Sequence, residues 1–214
     1  MNIEGVLIIF GVIIISMTLH EAVHAFVGYF LGDDTAKAQG RLTLNPLKHI
    51  DPVLTIAMPI LLYIMGGPIF GGAKPVPLNP SRIRHGEWGM ALVAVAGPLT
   101  NLLLAFIAFG VGVIFGVIST DGIAATLAGQ IIWLFVQVNL GFFIFNMLPI
   151  PPLDGSRVLY ALAPEGARRV MEQIERYGLV IVLLIVLVAS PVLSTIMLGA
   201  MQGILEAFMF IFRV

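Results

Sequence analysis

The sequence predicts an all-α polytopic membrane protein with about five transmembrane helices, a short re-entrant or interfacial segment and a small membrane-associated β element. Three observations carry that expectation. Of 214 residues, 59% are hydrophobic and only 11% charged, whereas soluble chains average about 25% charged. The apolar residues gather into runs long enough to cross a hydrocarbon layer of about 30 Å at about 1.5 Å per residue. The basic residues fall between those runs in a pattern that places them on one side. A net charge of −1 with no long basic run argues against a nucleic-acid partner, so the bilayer itself is the expected surroundings. With no cysteine, disulfides and thiolate metal ligands are excluded, and any zinc site must be built from His, Asp and Glu.

The first span is residues 3–30. It has Glu4 where a signal peptide has Lys or Arg, so it is read as retained. Gly32-Asp33-Asp34 ends it. Residues 35–80 form a β and re-entrant region: Ala36 to Leu44, around Gly40, suits a short hairpin or extended strand. Val53 to Met65 contains Pro59, is closed by Gly66-Gly67-Pro68 and is too short for a comfortable crossing. The second span, 88–118, carries Gly97-Pro98 and Asn101, which predicts a kinked helix with Asn101 facing protein rather than lipid.

Ser119 to Gln130 is a polar link, and the third span, 131–148, contains Gln137, Asn139 and Asn146. It breaks at Pro149-Ile150-Pro151-Pro152-Leu153-Asp154-Gly155. Residues 156–177 read as an amphipathic surface helix, followed by two further spans, 178–190 and 191–212, divided near Ser190-Pro191. The whole, 1–214, is read as one membrane-embedded domain. Let 53–65 dip without crossing and the N-terminus start outside. All 11 basic residues, from Lys37 to Arg213, then face the cytoplasm.

Within the first span, His20-Glu21-Ala22-Val23-His24 places three ionisable side chains where lipid excludes them. An ionisable residue at membrane depth costs roughly 2.5 kcal/mol or more and marks function by default. One turn apart on a helix, His20 and His24 share a face and can bind one metal ion, with Glu21 beside them to act on water as general base. A catalytic zinc needs a third protein ligand. Asp154 is the best candidate, because a break built from prolines and a glycine can aim it inward; its rival role is an ordinary turn aspartate before Gly155. A divalent ion with Asp154 and Glu21 sums to zero charge, which eases burial. Asn146 is placed either to donate to a developing oxyanion or to pack helices by a hydrogen bond. His49 and His85, in loops, are read as interfacial, and so are Trp88 and Tyr177.

His20 to His24 together with Asn146-Met147-Leu148-Pro149-Ile150-Pro151-Pro152-Leu153-Asp154-Gly155 resembles the site-2 protease family of intramembrane zinc metalloproteases. Gly40 to Pro46, Ala73 to Pro77 and Ala96 to Asn101 are similar to segments of its compact bacterial members. The resemblance implies a catalytic core without accessory domains, one Zn2+ on His20, His24 and Asp154, Glu21 as the base and Asn146 as a stabiliser at the catalytic site. It implies Glu-assisted attack of zinc-activated water on transmembrane-helix protein substrates, in a bacterial inner membrane with the site toward the cytoplasm. Ala36 to Leu44 would then be a strand that pairs with extended substrate. The alternative from another class is a metal-ion transporter or channel using His20, Glu21, His24 and Asp154 as a transit site.

Overall fold

The computed structural model describes residues 3–57, 72–120 and 122–214. Helix α1, Ile3–Phe30, matches the first apolar run and ends where expected: Gly32 takes φ +106°, and the Asp33 N–H closes back on the Gly28 carbonyl at 2.9 Å. Asp33 then turns the chain. Its Oδ1 accepts the Thr35 N–H at 3.0 Å and its Oδ2 accepts the Asn79 N–H at 2.6 Å, tying the end of α1 to the stretch that precedes the next long helix.

The strand expected over Ala36 to Leu44 is not there. Thr35–Ala38 forms a single helical turn, α2, and residues 39–45 follow as turns and bends. Short-range bonds win over pairing: the N–H groups of Ala38, Gln39, Gly40 and Arg41 all bond back within five residues, to Asp34, Thr35, Lys37 and Ala36. A 3-10 turn at Pro46–Lys48 is followed by a π-helical turn at Pro52–Ala57, and most of the dip expected over 53–65 lies outside the described residues. Its two flanks meet, since Gly72 N–H donates to the Leu54 carbonyl at 3.0 Å and Thr55 Oγ1 to the Gly72 carbonyl at 2.6 Å.

Helix α3, Gly86–Ile114, is the hub of the bundle, packing on α1, on α4 (Leu127–Asn146) and on α5 (Gly155–Leu162). It begins and ends slightly before the expected 88–118. Residues 118 and 119 instead form β1, Ile118–Ser119, paired antiparallel with β2, Gly122–Ile123, inside the expected polar link. Among the described residues this hairpin is the one sheet. Helix α4 is likewise shifted from the expected 131–148, because Thr126 caps its start by accepting the Gly129 N–H. The single surface helix expected over 156–177 is two, α5 and α6, Glu165–Arg176, separated at Ala163-Pro164, and α5 packs on α3.

Residues 178–212 do not make two spans. Helix α7, Gly178–Val188, has 11 residues, about 16 Å, too short to cross alone. Helix α8, Ser190–Phe212, follows and packs along α4. Val182 and Val186 pack with Phe145 and Leu148 at the end of α4, whereas Phe208 and Phe212 pack with Ile132, Val136 and Phe109, nearer its start. A Pro at the second position of α8 fits the first helical turn, where its missing N–H costs nothing. Among the described residues, four helices are therefore long and apolar enough to span: Glu4–Phe30, Gly86–Ile114, Leu127–Asn146 and Pro191–Phe212. Arg213 ends up beyond Phe212, which abuts Gly110 near the far end of α3 from Arg82 and Arg84. It does not join the other ten basic residues.

Candidate metal centre

The i, i+4 spacing on α1 brings His20 and His24 edge to face, with ring centroids 4.6 Å apart, and both are buried. Their Nε2 atoms stand 3.0 Å apart. Asp154 Oδ2 lies 3.2 Å from His20 Nε2 and 3.4 Å from His24 Nε2. The three residues named from sequence thus converge on one point. A tetrahedral ion with bonds of about 2.0–2.2 Å has ligand-to-ligand edges of about 3.3–3.6 Å, so the triangle is nearly the size a zinc ion requires.

Hydrogen bonding explains why these atoms need a cation. A backbone carbonyl only accepts, so His24 Nδ1 must donate to the Val93 carbonyl at 2.8 Å, and in the neutral, metal-binding form of the ring Nε2 then carries the lone pair. For His20 the reasoning runs through two amides. Asn139 Nδ2 donates to the Phe135 carbonyl and to Ser16 Oγ, which orients its amide, and Asn139 Oδ1 then accepts from Asn101 Nδ2 at 2.8 Å. That leaves Asn101 Oδ1 to accept from His20 Nδ1 at 2.6 Å, so His20 Nε2 is also bare. Two lone pairs and a carboxylate oxygen face one another, an arrangement that a positive ion stabilises. The residues fit a divalent metal, and the outer partners fix ring tautomer and orientation as they do in metal sites generally.

Two glycines make the approach possible. A Cβ on Gly97 would lie 2.3 Å from His24 Nε2 and 2.8 Å from His20 Cε1, so only glycine lets α3 come this close to the rings. The neighbouring Pro98 has no N–H for the Ala94 carbonyl and loosens the ladder in the turn whose Val93 carbonyl serves His24. A Cβ on Gly155 would meet the Met147 carbonyl oxygen at 2.3 Å, so glycine there allows the proline-rich break to fold back on the end of α4 and carry Asp154 inward.

Glu21 is placed beside the trio by its sequence position, and its Oε2 accepts the Val76 N–H at 3.0 Å. Asn146 ends α4, where its Nδ2 donates to the Phe142 carbonyl one turn back at 3.0 Å. His49, expected at the interface, is buried, with Nε2 donating to the Thr43 carbonyl. The sequence reading put Asn101 against protein but missed its bond to His20, and it missed Gly97, Asn139 and Ser16 as supports. The available signal was the i, i+4 spacing of Gly97 and Asn101, which matches that of the histidines.

A two-histidine, one-carboxylate cluster inside a bundle of apolar helices defines a polytopic membrane protein able to hold a metal ion. Comparison with known proteins narrows the class. The description "Peptidase family M50" matches residues 111–189. Bacillus subtilis (strain 168) has a relative named "Putative zinc metalloprotease YwhC", 42% identical over 205 residues, which are 94% of this chain and 90% of that protein. Two proteins named in the same way as Rip2 are also similar. The one from Mycolicibacterium smegmatis is 34% identical over 85% of this chain and 66% of its own length. The one from Mycobacterium tuberculosis (strain H37Rv) is 31% identical over 90% and 71%. No solved structure matches the chain. The chain belongs to peptidase family M50, the site-2 protease family, and is a zinc metalloprotease by class.

Proposed function

We propose that this protein hydrolyses peptide bonds in or near the transmembrane helices of membrane-protein substrates, the chemistry of regulated intramembrane proteolysis. In this reading one zinc ion is held by His20, His24 and Asp154. The observation that carries it is the convergence of three acceptor atoms at 3.0–3.4 Å with the second nitrogen of each ring already committed to donating. Zinc, when bound there, supplies a Lewis acid that acidifies water and polarises a carbonyl.

The chain's own groups supply the rest. Glu21, held through Oε2 by Val76 N–H, takes a proton on its other oxygen as water adds to the scissile carbonyl carbon. It passes that proton to the departing amine, so that the C–N bond breaks to give a carboxylic acid and an amine, which end as carboxylate and ammonium once the acid proton moves to the amine. Asn146, rotating off the Phe142 carbonyl, donates its amide N–H to the developing oxyanion.

Orientation follows from charge. Lys37, Arg41, Lys48, Lys74, Arg82 and Arg84 lie on the connections between α1 and α3, and Arg157, Arg168, Arg169 and Arg176 on α5 and α6. These ten support a cytoplasmic face at that end of the bundle, with the N-terminus outside, in a bacterial inner membrane. His24 is then six residues, about 9 Å, below the cytoplasmic end of α1. Transport gains no support: among the described residues His20, His24 and Asp154 are the one group placed to share an ion, and a conduction path needs a series.

The test is cleavage of a single-span substrate by purified protein, stopped by chelation and restored by zinc. Glu21→Gln is expected to retain zinc and lose cleavage by about 10²–10⁴-fold. Cleavage at the unaltered rate by Glu21→Gln would remove Glu21 from the mechanism.

A further inference from the structure

Helix α8 carries polar groups that, among the described residues, no other helix of the bundle contacts. Met201, Ile204, Leu205, Phe208 and Phe212 pack inward. On the opposite side, Thr195, Gly199, Gln202, Gly203, Glu206 and Phe210 are all exposed and fall within an arc of about 100° at 3.6 residues per turn. Gln202 Nε2 donates to Glu206 Oε1 at 3.2 Å, one turn along the same helix. Glu206 sits six residues, about 9 Å, from the Phe212 end of a 22-residue span. A carboxylate that deep in hydrocarbon faces protein or water by default.

We propose that this face of α8 is the interface of a two-fold dimer formed with a second copy of the chain. The face complements itself. Gln202 offers an amide donor and Glu206 a carboxylate acceptor at a spacing of four residues. In a parallel pair about an axis normal to the membrane, the amide of each copy meets the carboxylate of the other as well as its own. Among the described residues Gly199 and Gly203 have nothing within 4 Å of an added Cβ, so the helix backbones can approach closely there. A substrate helix fits less well as the occupant. Phe208 stacks on Phe106 and Phe109, nine to twelve residues beyond Gly97 along α3, so Glu206 lies more than about 10 Å along the bundle from the metal centre. A substrate would also need a matching polar group in its own span. The proposal rests on no part of the proteolytic mechanism.

Because the chain has no cysteine, single cysteines report the contact directly. Thr195→Cys and Phe210→Cys lie on the face. Leu198→Cys and Ile211→Cys, 65% and 57% exposed, lie off it. Oxidation in native membranes is expected to give a band at twice 23.0 kDa at least tenfold more intense for the first pair, and Gly203→Leu placed in Thr195→Cys is expected to abolish it. Equal crosslinking at the four positions, no crosslinking at any, or crosslinking of the face only to a co-expressed single-span substrate would overturn the dimer.

Discussion

Substituting Gly97 by alanine adds one carbon atom at the closest point between α3 and the metal-binding rings. That carbon would sit 2.3 Å from His24 Nε2, 2.5 Å from His24 Cε1 and 2.8 Å from His20 Cε1, against ordinary contact from 3.4 Å. Something must yield by about 1.1 Å, the difference between 3.4 and 2.3 Å. The rings cannot yield alone, since His24 Nδ1 is bonded to the Val93 carbonyl and His20 Nδ1 to Asn101. Either those bonds break or α1 and α3 separate. Overpacking of this kind costs about 1–3 kcal/mol in stability, and losing the bonds that orient metal-bound histidines costs about 10–100-fold in metal affinity. Gly97→Ala is therefore expected to weaken zinc binding by at least that factor, read by competition with a chromophoric chelator. Gly141→Ala, with nothing within 4 Å of its added carbon, is expected to leave zinc binding unchanged. Zinc affinity of Gly97→Ala equal to that of the unaltered protein would refute the close-approach argument.

Three further outcomes follow from other parts of the structure. Asn101→Leu removes the acceptor that holds the His20 tautomer and leaves Asn139 Oδ1 without its donor; zinc affinity is expected to fall about 10–100-fold, checked by the same chelator competition. Asn146→Ala is expected to lower kcat by about 10²–10³-fold with zinc retained if the amide serves the oxyanion; a loss of thermal stability with kcat unchanged would assign it to helix packing. At Asp33, burial alone would push the pKa up, but the Thr35 hydroxyl, the Asn79 and Thr35 N–H groups and the Arg82 charge outweigh it and hold the carboxyl below its ordinary 3.8. The unfolded chain then takes up this proton first as pH falls. The stabilisation is complete above about pH 4 and is lost as pH drops through the lowered folded value; thermal unfolding between pH 6 and 3 should show a shallower fall for Asp33→Asn.

Much of this was written in the local pattern. The apolar run of α1, its stop at Gly32 and the shared face of His20 and His24 depend on spacing within one helix, which the sequence displays directly. Asp154 was legible because prolines and a glycine announced a break. The turn at Thr35–Ala38 was misread as a strand because the mixed polarity around Gly40 fits both, and the choice was made by Asp33, which also holds the distant Asn79. Apolar composition does not by itself make a crossing, so residues 178–190 read as a span although α7 has only 11 residues, about 16 Å. The same blindness put Arg213 with the other basic residues. The support beneath His20 was hidden because its members, Ser16, Asn101 and Asn139, come from three helices.

The metal centre is tested most directly by zinc-edge X-ray absorption on the purified protein and on Asp154→Ala. One zinc per chain, with two imidazole nitrogens and a carboxylate oxygen at about 2.0–2.2 Å, and loss of that oxygen in Asp154→Ala, is the predicted result. A zinc shell with a single imidazole, or one unchanged in Asp154→Ala, would contradict it.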